Sequence, residues 1–214
     1  MKVLIVGANG KVARQLVKKL SQNDTHEVTA MIRKQEQEGE LKELGADRIV
    51  LADLEKDIDH AFEGQDCVVF AAGSGPNTGP DKTVIIDLWG ARKTVEAAEK
   101  HGVKRFVMIS SMRSEDPEAG PENMRHYLIS KKLADEYLKE SSLTYTIIRP
   151  GPLSNDEPAG TVLLKEDINE GSEKIARADV AHVIAELLEK ENTYNKTFEL
   201  LGGKTPVEEA VKQL

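Results

Sequence analysis

Met1-Lys2-Val3-Leu4-Ile5-Val6-Gly7-Ala8-Asn9-Gly10-Lys11-Val12-Ala13 is the stretch that decides the fold. Its first six residues form a short apolar run, which predicts a strand. Gly7 to Gly10 supplies a turn, and Lys11 to Leu20 has the period of a helix. Strand, glycine turn and helix, in that order, is how a doubly wound α/β domain holds the pyrophosphate of a dinucleotide. Glycines let main-chain N–H groups close on the phosphates, and the helix N-terminus adds roughly half a positive charge there. The spacing is G-x-x-G-x-x-A, with Ala13 where a third glycine often stands. Gly7, Asn9, Gly10, Lys11 and Val12 are therefore the first candidate cofactor contacts. Glycine turns also occur in chains that bind nothing, so the rest of the chain has to agree.

It does alternate as such a fold requires. Strands are predicted at Val28–Ile32, Arg48–Leu51, Cys67–Ala71, Lys104–Ser110, Tyr145–Arg149 and Phe198–Leu201. Helices are predicted between them, near Gln35–Glu43 and Ile58–Phe62, then at Lys82–His101, Met124–Glu140, Asp179–Glu189 and Pro206–Leu214. Lys82–His101 carries Val84, Leu88, Ala91, Val95 and Ala98 on one face, and Gly102 stands where a C-terminal cap belongs. The expectation is an α/β fold, with a doubly wound, mostly parallel seven-stranded sheet and helices on both faces. Leu153 to Ala176 is the least regular stretch, rich in Gly, Pro, Asn, Asp and Glu. It follows a late strand, where substrate loops of such folds gather, and a solvated surface loop would read the same way.

The 214 residues suffice for one sizeable domain. A net charge of −8 argues against a nucleic-acid surface, which needs clustered Lys and Arg. No apolar run approaches a membrane span, and the first run is too short for a signal peptide. The single cysteine, Cys67, excludes an internal disulfide and reads as a buried, inert thiol in an apolar strand. A cytoplasmic location fits these facts. His26, His60, His101, His126 and His182 are scattered without metal-ligand spacing, so no metal is expected. Trp89 reads as helix packing.

Several residues carry chemistry. The second strand ends in Ile32-Arg33-Lys34, where an NAD-selective site usually places an acid for the ribose hydroxyls. A guanidinium there forms paired, charged hydrogen bonds with a ribose 2′-phosphate, which favours NADP over NAD. Asp53 can accept from the adenine amino group and Leu54 can pack on its ring, although an Asp in a turn needs no ligand. Ala71-Ala72-Gly73-Ser74-Gly75-Pro76 ends the fourth strand with small residues that let the backbone lie against a cofactor. Tyr127 and Lys131 have the i, i+4 spacing that puts both on one helix face. An ammonium near a phenol favours the phenolate, and such a tyrosine can exchange a proton with a carbonyl as hydride arrives. Lys131 can also reach the nicotinamide ribose. Ser110-Ser111 ends the fifth strand, where a hydroxyl can hold a substrate oxygen.

Together these residues resemble the short-chain dehydrogenase/reductase superfamily, and most closely its atypical branch of small NAD(P)-binding epimerase/dehydratase-like and reductase-like proteins. The resemblance covers nearly the whole chain. Gly7–Ala13 is similar to the glycine motif, Gly102–Ser111 to the strand leading to the active-site serine, and Tyr127/Lys131 to the Tyr-x-x-x-Lys pair. Thr144–Leu153 is similar to the strand and Arg-Pro-Gly turn that approach the nicotinamide, and Arg177–Ala181 to the start of the next helix. The resemblance implies one Rossmann-like domain over residues 1–214, with 152–214 supplying a small substrate-side segment. It implies Ser111, Tyr127 and Lys131 as catalytic residues. It implies Ala71, Ala72, Gly73, Lys131, Pro150, Gly151 and Leu153 as further cofactor contacts. Asp87 occupies the fourth active-site position, usually Asn, and an ionised Asp cannot donate as an amide does. The segment after Ser111 lacks the Val-Tyr-Gly of the extended sugar-nucleotide enzymes, and the part after Arg149 leaves little room for their second domain.

The expectation is thus an NADP(H)-dependent oxidoreductase acting on a small carbonyl or alcohol, as monomer or homodimer. The alternatives are an epimerase or dehydratase that retains its cofactor, and a non-catalytic NADP(H) sensor.

Overall fold

The computed structural model describes residues 1–214 apart from Asn23, Pro76, Asn169 and Glu170. Pro76 of the small-residue turn, and Asn169 and Glu170 of the irregular stretch, thus lie outside the described residues. The chain begins with β1 (Lys2–Val6), α1 (Lys11–Leu20), β2 (Glu27–Ile32), α2 (Glu38–Glu43), β3 (Arg48–Leu51) and β4 (Cys67–Phe70). Then come α3 (Pro80–Lys82), a π-helical segment (Thr83–Gly90), α4 (Ala91–Lys100), β5 (Arg105–Ile109), α5 (Arg125–Lys139) and β6 (Thr144–Pro150). The remainder is β7 (Leu153–Ser154), β8 (Thr161–Lys165), β9 (Ile175–Ala176), α6 (Arg177–Leu187), β10 (Lys196–Gly202), β11 (Thr205–Pro206) and α7 (Val207–Lys212).

Seven parallel strands run in the order β3-β2-β1-β4-β5-β6-β10. Strands along β1 alternate between two apolar layers, with Val3 and Ile5 in one and Leu4 and Val6 in the other. The first layer is closed by Ala13, Leu16, Val17 and Leu20 of α1 and by Val180, Val183, Ile184 and Leu187 of α6. The second is closed by Val95 and Ala98 of α4 and Ala134 and Leu138 of α5. Both faces of the sheet are therefore covered, as parallel sheets demand. Arg105, buried at the start of β5, donates to the Leu187 and Leu188 carbonyls and so closes the end of α6.

Among the described residues the sheet has nine strands, two more than the sequence predicts. β8 lies antiparallel to β10 and β11 antiparallel to β8, extending the edge. β8 was missed because it sits in the polar Leu153–Ala176 stretch, where its short alternation, with Val162 and Leu164 buried, is surrounded by turn residues. β11 is only Thr205–Pro206, at the start of the predicted last helix. β7 and β9 form a separate two-stranded parallel ladder in the same stretch.

The strand order turns around between β1 and β4. Connections from β1 lead one way, to β2 and β3, and those from β4 lead the other. In open α/β sheets a ligand crevice opens at this reversal, beyond the carboxyl ends of the strands.

Candidate cofactor and active site

Register brings the motif residues to one edge of the sheet. Val6 pairs with Phe70, Phe70 with Met108, Ile109 with Ile148, and Pro150 with Leu200. The residues that follow each strand, Gly7–Gly10, Ala71–Gly75, Ser110–Ser111 and Gly151, therefore stand side by side at the crevice. Arg33 and Lys34 follow β2 at the same edge and are exposed.

Gly7 has φ +78°, and a Cβ there would lie 2.6 Å from the Cα of Ala72. The turns after β1 and β4 thus touch, and only glycine fits between them. Gly10 has ordinary extended backbone, and a Cβ there would meet only the Gly7 carbonyl at 3.3 Å and the Ala71 carbonyl at 3.7 Å. Its amide donates to the Gly7 carbonyl at 2.9 Å, closing the turn at the start of α1. No acid occupies the first turn of α1, so nothing there opposes an anion. Lys11 is exposed, and Arg14, which the sequence reading passed over, donates to the Asn9 side chain at 2.6 Å and pairs with Glu40 of α2. A glycine cradle and the first-turn amides of α1 fit the pyrophosphate of a dinucleotide.

Asp53 accepts the Glu55 amide at 3.0 Å, closing its own turn, and Leu54 is buried against Gly90. Asp87 lies within the π segment and is only 2% exposed. Its carboxylate accepts the Ser74 amide at 3.0 Å, and its other oxygen would lie 3.2 Å from a Cβ at Gly73. Asp87 therefore fastens the turn after β4 to the helix behind it. π segments are rare and recur at functional sites.

Lys131 is 2% exposed, and its Nζ donates to the Ile109 carbonyl at 2.7 Å and stands 5.9 Å from the centre of the Phe70 ring. It is thus drawn to the end of β5, beneath the serine turn. Tyr127, one turn earlier on α5, is half-buried, and His126 is exposed. Ser111 is half-buried with its hydroxyl on the Met112 carbonyl at 3.2 Å, whereas Ser110 is buried and donates to Asp135 at 2.9 Å. Pro150 ends β6, and its carbonyl accepts the Met112 amide at 3.0 Å. Gly151 faces Leu201 and the Met112 sulfur so closely that a Cβ would lie 2.3 Å from Leu201. Leu153, half-buried, opens the β7–β9 ladder beside this turn.

Asp179, 2% exposed in the first turn of α6, accepts the Ala159 and Gly160 amides, both at 2.9 Å, and so folds the preceding loop back. Trp89 is half-exposed, with the Arg92 guanidinium 5.1 Å over its ring on the same helical stretch. His182, Glu186 and Glu208 each offer a ligand atom within 4.8 Å of the others, a proximity hidden from the sequence because Glu208 comes from α7. Cys67 is fully buried, which pushes its thiol pKa up to about 12.

Residues 7–191 match the family model described as NAD(P)H-binding. The chain belongs to this NAD(P)H-binding family. It is 44% identical to an uncharacterized sugar epimerase, YhfK, of Bacillus subtilis, over all of both chains. It is 30% identical to sanguinarine reductase of Eschscholzia californica, over 98% of this chain and 92% of the relative. A solved structure from Bacillus halodurans, provisionally described as an NAD-dependent epimerase/dehydratase, is 57% identical with a TM-score of 0.98, over 100% of each chain. The protein is thus a Rossmann-like NAD(P)-binding chain, consistent with the atypical short-chain dehydrogenase/reductase branch. Its relatives carry both reductase and epimerase names. None of its described helices is long and apolar enough to cross a membrane.

Proposed function

We propose that the protein is an NADP(H)-dependent oxidoreductase acting on a small carbonyl or alcohol. The observation that carries this reading is the register that lines up the glycine turn, the turn after β4 and Ser110–Ser111 at one edge of the sheet, with Lys131 anchored on the Ile109 carbonyl just before the serines. Tyr127 stands one helical turn before Lys131 on α5. Bound NADPH supplies a hydride. The protein's residues do the rest. First-turn amides of α1 and the side chains of Asn9, Lys11 and Val12 enclose the pyrophosphate, and Arg33 meets the ribose 2′-phosphate. Asp53 serves the adenine amino group and Leu54 the wall beneath it. Ala71–Gly73, held by Asp87, and Pro150, Gly151 and Leu153 form the two walls around the nicotinamide side.

Ser111 donates a hydrogen bond to the substrate oxygen and orients it. Tyr127 transfers its phenolic proton to that oxygen as the carbon is reduced, and recovers a proton from solvent. Lys131 braces the end of β5 and presents its charge to this region. The segment 152–214 closes the substrate side through the β7–β9 ladder and the loop fastened by Asp179.

The test follows NADPH consumption with phenanthrenequinone as a carbonyl probe, in wild type and Tyr127→Phe. Loss of turnover with NADPH binding retained supports the proposal. Equal turnover by the variant removes the proton-transfer role. Two relatives bear epimerase names, so a retained cofactor is the competing reading. Nicotinamide that survives exhaustive dialysis, with no net NADPH consumption, would favour it.

A further inference from the structure

We propose that Asp135 is a positioning residue that sets the Ser111 turn against the Arg149-Pro150-Gly151 turn. The inference rests on the site reading above and adds to it a residue outside the reacting groups. Asp135 is fully buried on α5, one helical turn beyond Lys131. Its Oδ2 accepts from Ser110 at 2.9 Å, from Ser114 at 3.3 Å and from Nε of Arg149 at 3.0 Å. The second guanidinium arm lies 3.0 Å from the same carboxylate. Arg149 is itself 5% exposed, and its remaining arm donates to Glu115 at 2.6 Å.

One carboxylate thus grips both ends of the segment Ser110–Ser114, and the arginine it holds grips Glu115 just beyond. Lys132, from the same helix, adds a bond to the Glu115 carbonyl at 2.8 Å. The Met112 amide on the Pro150 carbonyl ties the two turns together directly. Between these clamps Arg113 has φ +67°, a left-handed conformation that non-glycine residues adopt only where the surroundings impose it. Ser111 lies inside the clamped segment, and Gly151 directly follows the clamped strand end.

Lys131 and Asp135 therefore act as a pair on α5. Lys131 fixes the last carbonyl of β5, and Asp135 fixes the hydroxyls on either side of Ser111. The groups facing Asp135 are Arg149 and Lys131, both cationic, and Glu115 beyond Arg149. Burial raises the Asp135 pKa, and the two cations oppose that rise. Its second oxygen has no hydrogen-bond partner among the described residues, so all of its holding power goes through the shared contacts.

The test compares wild type with Asp135→Asn by hydrogen exchange and by turnover. In the variant, amides of residues 111–115 are expected to exchange about tenfold faster, while those of β1 and α1 stay unchanged. NADPH affinity is expected to fall far less than turnover, because the glycine turn that holds the pyrophosphate is untouched and only the Pro150–Gly151 wall is loosened. Turnover of phenanthrenequinone, counted per NADPH-competent site, is expected to fall about thirtyfold, from a misplaced Ser111. A merely structural loss would lower the number of competent sites and leave the rate per site unchanged.

Unchanged exchange at 111–115, or an unchanged rate per site, overturns the proposal. If Asp135→Asn does not fold, Glu115→Gln replaces it. Glu115 is exposed, and its loss is expected to speed exchange at 113–115 a few-fold; unchanged exchange there counts against the clamp. If wild type leaves the quinone untouched, the reductase reading fails, and the exchange comparison still decides the clamp.

Discussion

Two glycines three positions apart are expected to fail in different ways. At Gly7 an alanine meets two costs. The φ of +78° places a side chain in left-handed backbone, at about 1–2 kcal/mol. The new methyl would also sit 2.6 Å from Cα, and 2.8 Å from N and Cβ, of Ala72, well inside ordinary contact. Parting the β1 and β4 turns to relieve this costs about a further 1–3 kcal/mol. Gly7→Ala should therefore lose about 2–5 kcal/mol, a fall in Tm of about 4–20 °C for a chain of this size. At Gly10 the backbone is ordinary, and the nearest atoms are carbonyl oxygens at 3.3 and 3.7 Å. Gly10→Ala should cost under about 1 kcal/mol, or less than about 4 °C. A methyl on the cradle itself would crowd a pyrophosphate seated there, so NADPH affinity should fall at least about tenfold, or about 1.4 kcal/mol. Thermal melts and titrations of NADPH fluorescence measure both. A Gly7→Ala protein melting with the wild type would refute the packing argument. A Gly10→Ala protein binding NADPH normally would refute the phosphate cradle.

Arg33→Ala should reduce the preference for NADPH over NADH at least about tenfold in paired titrations; an unchanged ratio removes Arg33 from the 2′-phosphate site. Tyr127→Phe should lower turnover by about 10²–10⁴ with NADPH binding retained, measured per competent site with phenanthrenequinone. Cys67, with burial lifting its pKa to about 12, should resist iodoacetamide at pH 8 in the native protein and react once denatured. Since only the thiolate reacts, fast native alkylation would show that β4 opens in solution.

The fold was legible where the pattern is local. Val3 to Val6 followed by Gly7 and Gly10 announces the first strand and turn, and the period of Lys11–Leu20 announces the helix, because strand and helix faces repeat every two and 3.6 residues. Tyr127 and Lys131 are one helical turn apart, so their shared face follows from spacing. Contacts between distant segments were not legible. Nothing near Asp135 in the chain announces Arg149, and the two meet only because β5 and β6 pair beside α5. The winding of Thr83–Gly90 was read as ordinary helix, and there the face differs from the expected one: Val84 of the predicted apolar stripe is exposed, while Thr83, Asp87 and Gly90 are buried. β8 escaped because its pairing partner, β10, is far away in sequence and its own alternation spans only five residues. Arg14 was passed over because its link to Asn9 and Glu40 depends on where α2 packs.

A crystal structure of the protein with NADP⁺ tests the central claim most directly. The account predicts the pyrophosphate against the amides at the start of α1, with the reactive carbon of the nicotinamide facing the hydroxyls of Ser111 and Tyr127. A cofactor lying elsewhere, or a Tyr127 hydroxyl pointing away from that ring, would contradict it.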